Sequence, residues 1–214
     1  MLAQTLALAL APRFECSVAS LRGPAGVVDQ AVWLHPDLVL LDLGLGPADG
    51  LDLIPGIPGL LSSGAQVLLI TGTTDEARLG AALALGASGW VIKSQPFERL
   101  VRAVETVMER RPLLGEAERT RLARLGSDRL DREREVRRRM GELTPREREV
   151  LSALSAGEAA GDIAHALSIS IGTVRSHIQS IREKLGVPNQ LAAVAAAGLL
   201  TACGGAAAAQ RAQG

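Results

Sequence analysis

The chain has 214 residues, enough for two small domains, and 47% are hydrophobic but only 2% aromatic, so its cores must rest on Leu, Val, Ile and Ala. The net charge is zero but uneven: −4 over residues 1–108, +4 over 109–140 and −1 over 141–198, with Arg211 completing the balance. Cys16 and Cys203 exclude a disulfide framework and a cysteine metal site, and no apolar stretch is long enough to cross a bilayer without charge, so we expect a reducing, cytoplasmic setting and no membrane partner.

The opening "MLAQTLALALAP" lacks a basic start and puts Leu2, Leu6 and Leu10 on one helical face, which predicts an amphipathic helix rather than a signal peptide. "ECSVAS" (15–20) predicts a short strand, and "PAGVVDQAVWLH" a helix with Pro24 near its start. "DLVLLD" (37–42) is a continuous apolar run, the pattern of a strand buried on both faces. Residues 50–62 predict a helix weakened by Pro55 and Pro58. "AQVLLIT" (65–71) predicts a second buried strand, and "DEARLGAALALGA" a helix from an Asp75 cap to a Gly86 stop. "GWVIK" (89–93) predicts a strand, and a helix follows from Pro96 to about Arg110. Strands alternating with helices imply an α/β doubly wound parallel sheet, where ligands bind beyond the carboxyl ends of the strands. Asp42, Thr71 and Lys93 stand at three such ends.

Residues 111–140 carry dense charge of both signs with irregular apolar spacing, which predicts a charged, partly helical linker. From Leu143 the texture is all-helical. "TPREREVLSALSAG" opens with a capping box of Thr144 and Glu147, with Pro145 at the first helical position. "GDIAHALSISIGTVRSHIQSIREKLGV" (161–187) reads as helix, turn, helix. In its second helix Val174, Ile178, Ile181 and Leu185 form one inward stripe. Arg175, Ser176, Gln179 and Arg182 face the other way: all are hydrogen-bond donors and none is acidic, although Glu183 stands beside them. Such a face suits a major groove, and it equally suits an amphipathic helix in a bundle. Residues 201–214 read as a disordered tail.

The segments "LTPREREVL", "IAHALSIS" and "GTVRSHIQSIREKLGV", closed by an alanine-rich helix (189–200), resemble the LuxR/FixJ-type (NarL-like) DNA-binding domain over residues 142–200. The resemblance implies a four-helix domain whose third helix reads double-stranded DNA and whose fourth pairs two copies into a homodimer. By position, Arg175, Ser176 and Gln179 match base-facing sites. Thr173, His177, Arg182 and Lys184 match sites near the DNA backbone or supporting it, and His177 reads equally as a structural histidine. Where the family usually has a small polar residue and a lysine, this chain has Ala160 and Gly161. That removes phosphate contacts and makes dimerisation more necessary.

"PDLVLLDLGLGPADGLDL", "VLLITG" and "GASGWVIKS" resemble a response-regulator receiver domain, a flavodoxin-like fold. The resemblance implies Asp42 as phosphoacceptor and metal ligand, Thr71 as switching hydroxyl, Lys93 as its cation, Trp90 in the place of the switch aromatic, and a sensor histidine kinase as partner. The family's first strand and the acidic pair that holds Mg²⁺ have no counterpart before "MLAQTLALAL", so a Mg²⁺ site is incomplete and phosphorylation at Asp42 is weakened. Losing a buried strand forfeits on the order of 10 kcal/mol. Either the first strand closes the gap by pairing with the next, or the product begins upstream, as from a misplaced start codon.

The expected organisation is a receiver-like domain over 1–110 with its first strand missing, a linker over 111–140, an all-α helix-turn-helix domain over 141–200 and a tail over 201–214. The expected function is a sequence-specific transcriptional regulator of a two-component system. The alternative is a phosphorylation-independent regulator whose receiver-like domain only dimerises or binds a partner. A phosphatase-like enzyme would need a second carboxylate two residues after Asp42, and position 44 is glycine, so no enzymatic activity is expected.

Overall fold

The computed structural model describes residues 2–19, 23–43 and 53–204. It divides into a unit of residues 1–129 and a unit of residues 130–214.

In the first unit, α1 (Leu2–Leu10), α2 (Gly23–Leu34), β1 (Leu38–Asp42), α3 (Ile57–Ser62), β2 (Gln66–Thr71), α4 (Glu76–Ala84), β3 (Gly89–Ile92) and α5 (Phe97–Met108) alternate as the apolar runs require. The strands are parallel in the order β1-β2-β3, with Leu41 opposite Leu69 and Ile70 opposite Val91. β2 is central and its side chains are buried on both faces, which explains its unbroken apolar run. Leu68 and Ile70 meet Val91 and the Leu100, Ala103, Val104 and Val107 face of α5, joined by Leu6 and Phe14. Val67 and Leu69 alternate to the other side and are as fully buried.

Three local expectations need correction. Residues 15–19 form no strand: all five side chains are exposed, and no ladder partner stands beside them among the described residues. A strand with neither burial nor pairing has nothing to hold it. The helix expected over 50–62 is shorter, because Pro55 sits in a 3-10 turn (Ile54–Gly56) and Pro58 opens α3; residues 50–52 lie outside the described residues. Residues 201–204, expected in the tail, continue α10, which runs to Gly204; residues 205–214 lie outside the described residues. The expected helix ends elsewhere hold: Asp75 Oδ1 accepts from the N–H groups of Ala77 and Arg78, and Gly86 turns at φ +104. Trp33, at the end of α2, is 80% exposed.

Most of the charged stretch is one continuous helix, α6 (Glu116–Gly141), preceded by five non-helical residues. Pairs three or four residues apart link Arg121 to Glu118, Arg134 to Asp131 and Arg138 to both Glu135 and Glu142, which is how so polar a segment stays helical. Its first half packs on the first unit: Leu122 is buried, Arg119 donates to the carbonyls of Ala87 and Ser88, and Arg129 pairs with Asp75 at 3.0 Å. There α4 and α6 touch backbone to backbone. A Cβ on Gly126 would lie 1.9 Å from the Gly80 carbonyl carbon, and one on Gly80 would lie 2.1 Å from the Leu122 oxygen. Gly126→Val is therefore expected to push the helices apart and lower the first unit's stability by about 1–3 kcal/mol or more, read as a lower urea midpoint.

The second unit holds α7 (Pro145–Ser155), α8 (Ala160–Ala166), α9 (Ile171–Leu185) and α10 (Gln190–Gly204). Its core joins Leu143, Val150, Leu151, Leu154, Ile163, Val174, Ile181 and Leu185, with Ile178 packed against it. The Thr144–Glu147 capping box forms as expected. α9 starts on Ser170, whose hydroxyl accepts from Thr173 N–H, and stops at Gly186 in the left-handed region (φ +66). No helix among the described residues is long and apolar enough to cross a membrane.

Candidate DNA interface and receiver site

The buried stripe of Val174, Ile181 and Leu185 fixes how α9 rolls on the core, so residues on the opposite face must look outward. Thr173, Arg175, Ser176 and Gln179 are exposed, and His177 is half-buried. Arg175 and His177 make no side-chain hydrogen bond or ion pair with the described residues. The Ser176 hydroxyl donates back to Gly172 O at 3.1 Å, and Thr173 Oγ1 lies 2.9 Å from Ser170 Oγ at the helix start. Gln179 Nε2 donates to Glu183 Oε1 at 3.0 Å.

Two of the sequence-predicted DNA residues are engaged inside the protein. Arg182 donates to Pro188 O and so ties the end of α9 to the turn that precedes α10; its Nε is buried with no partner among the described residues. Lys184 Nζ reaches both oxygens of Glu147 on α7, at 2.9 and 2.6 Å. Glu147 is 4% exposed and also accepts from Ser180 Oγ (2.6 Å) and the Thr144 N–H (2.7 Å). Burial alone would raise its pKa; the hydrogen bonds from Lys184, Ser180 and Thr144 outweigh it and hold the carboxyl at about 2. Sequence reasoning saw Glu147 only as a capping residue, because no helical spacing reveals a pair 37 residues apart. It also missed Ser170, Asn189 and Arg139. Asn189 Oδ1 accepts from Ala192 N–H, and Arg139 donates to Leu185 O at 2.7 Å.

In the first unit the parallel register brings the expected strand ends side by side. Lys93 Nζ lies 2.8 Å from both carboxylate oxygens of Asp42, and both side chains are about a third exposed. Thr71, at the end of β2, is 1% exposed, and its Oγ1 accepts from Thr73 N–H at 3.0 Å. Lys93 N–H donates to Thr71 O at 2.7 Å, which locks the β3 end to the β2 end. Trp90 is half-buried on β3 opposite Leu69. From Thr71 a chain of short turns continues: Thr73 Oγ1 accepts from Asp75 N–H, and Asp75 caps α4. Burial pushes the Asp75 carboxyl upward, but Arg78 N–H and the Arg129 guanidinium hold it below its ordinary value. No group of three or more His, Cys, Asp or Glu converges on a metal position among the described residues. Asp42 with Lys93 against it does not make a fit for Mg²⁺, which wants several oxygen ligands.

Residues 1–105 match the family described as response regulator receiver domain, and residues 141–197 match the bacterial regulatory proteins of the luxR family. The transcriptional regulatory protein LnrK of Bacillus subtilis is 32% identical over 179 residues, covering 79% of this chain and 79% of LnrK. The nitrate/nitrite response regulator NarL of Escherichia coli is 29% identical over 187 residues, 87% of this chain and 84% of NarL. Among solved structures, the two-component response regulator RcsB–DNA complex aligns over 93% of both chains at 23% identity and a TM-score of 0.45. The chain belongs to the luxR family of bacterial regulatory proteins, in the form that carries a receiver domain. It is a DNA-binding two-component response regulator of the NarL/LuxR type.

Proposed function

We propose that α9 enters the major groove with Arg175, Ser176 and Gln179 at base edges, and that two copies bind as a homodimer. The observation that carries this is the exposed, donor-bearing face of α9 opposite its buried stripe. Arg175 supplies a two-pronged donor for guanine, while Thr173 and the α9 N-terminus lie where a phosphate oxygen would come. His177 lines the protein side of that contact. Arg182 and Lys184 act from within, by setting the α9–α10 turn and the α7–α9 packing. Selection of bound duplexes from a random pool tests this reading; a pool with no enriched sequence would overturn it.

For the receiver site we propose that Asp42 is the phosphoacceptor for a sensor histidine kinase. A carboxylate oxygen would attack phosphorus and form an acyl phosphate as the P–N bond of the kinase's phosphohistidine breaks and the imidazole leaves. Lys93 is the cation at hand to neutralise it, and Thr71 Oγ1, which accepts from Thr73 N–H, still has its own O–H to donate to the new oxygens. The described residues give Mg²⁺ no set of ligands. Acetyl phosphate is expected to label the natural chain and not Asp42→Asn; equal labelling of both would dismiss the assignment. The Lys93–Asp42 pair, which already engages both carboxylate oxygens, favours a second reading, regulation without phosphorylation, in which the first unit only dimerises or binds a partner. Gel shifts that do not respond to phosphodonor would support it.

A further inference from the structure

We infer that Glu183 is a positioning residue for base recognition: it holds the Gln179 amide so that the position reads adenine. This rests on the proposed placement of α9 in the major groove. Gln179 and Glu183 lie one helical turn apart and share an open groove with Arg175, Ile178, Arg182 and Pro188. Glu183 Oε1 takes one N–H of Gln179 at 3.0 Å. An amide has two N–H donors and one carbonyl acceptor. With one donor held, it presents one acceptor and one donor outward. That pair complements the N6–H donor and N7 acceptor of adenine. The flipped amide would aim its carbonyl oxygen at the Glu183 carboxylate, two acceptors with no hydrogen between them. That orientation is the one that would place donors toward guanine O6 or thymine O4. The carboxylate thus rejects the competing readout, and its charge beside phosphates lowers affinity for every sequence alike. A structural helix pair would give a few tenths of a kilocalorie of helix stability and no base preference.

The test is sequence selection on the full chain, followed by titration of duplexes changed at single base pairs. Gln179→Ala identifies the base pair that Gln179 reads. There the natural chain is expected to prefer adenine by roughly 5- to 150-fold, the range of one good bidentate contact. Glu183→Ala is expected to collapse that preference to within a few-fold while leaving the preference set by Arg175 intact and raising overall affinity. Glu183→Gln loses the charge and can donate as well as accept, so it permits either orientation of the Gln179 amide: binding should tighten and the adenine preference should fall toward the Glu183→Ala level. Glu183→Ala with an unchanged preference at that base pair would overturn the inference, leaving only a general charge effect. A natural chain that enriches no sequence would instead remove the groove placement on which the inference stands.

Discussion

Lys184→Met is expected to destabilise the helical unit by about 3 kcal/mol, near the lower end of what breaking a buried ion pair costs. The Glu147 side chain is 5% exposed and would keep its charge with one partner gone. Ser180 and the Thr144 N–H still donate to it, which is why the lower figure applies. The same site gives acid sensitivity a definite sign. Glu147 sits at about 2 in the folded chain against an ordinary 4.5, so its stabilisation is complete above pH 4.5 and drains away as pH falls toward 2. Urea midpoints followed by far-ultraviolet circular dichroism at pH 7 and pH 3 check both statements. The natural chain should lose stability between them, and the methionine variant, starting lower, should lose less. A variant as stable as the natural chain at pH 7 would show that the pair anchors nothing.

Arg175→Ala is expected to weaken the selected site by about 1–3 kcal/mol, roughly 5- to 150-fold, and to relax preference at one base pair. Unselected duplex should be weakened far less, and the salt dependence should flatten by no more than about one phosphate contact. Folding should change by less than about 0.5 kcal/mol, because the side chain is exposed and makes no bond to the described residues. Anisotropy titrations against the selected and a scrambled duplex, at two salt concentrations, separate these effects. Equal weakening on both duplexes would reassign Arg175 to the phosphate backbone.

What could be read from the residues alone followed from how far each cause acts along the chain. β1, β2 and β3 were legible because burial on both faces writes an unbroken apolar run into a few consecutive residues. The α9 stripe and its Gly186 stop are legible for the same reason, since Val174 and Gly186 act on their own helix. "ECSVAS" misled because its alternation is a local signal, whereas a strand needs a neighbour that supplies the ladder. Proline positions showed that residues 50–62 would be weak, not that a 3-10 turn would precede α3. α6 was read as partly helical because its apolar residues are irregular; its continuity comes from ion pairs and from the Gly80–Gly126 approach, which no periodicity records. At the receiver site the types were legible at three strand ends, and the direct Asp42–Lys93 pairing was not. For Lys184 the sequence leaves open a place near the DNA backbone or a supporting one, because its partner is a buried glutamate on another helix.

The exposed Trp33 and the half-buried Trp90 have a practical consequence. The chain has no tyrosine, and its two phenylalanines, Phe14 and Phe97, lie in the same unit as both tryptophans. Intrinsic emission therefore reports the sheet unit alone, and the DNA-binding unit is optically silent. Trp33→Phe would leave a single fluorophore on β3, two residue pairs from the Thr71 end of β2, so events at that sheet edge could be followed in the intact regulator without any added dye.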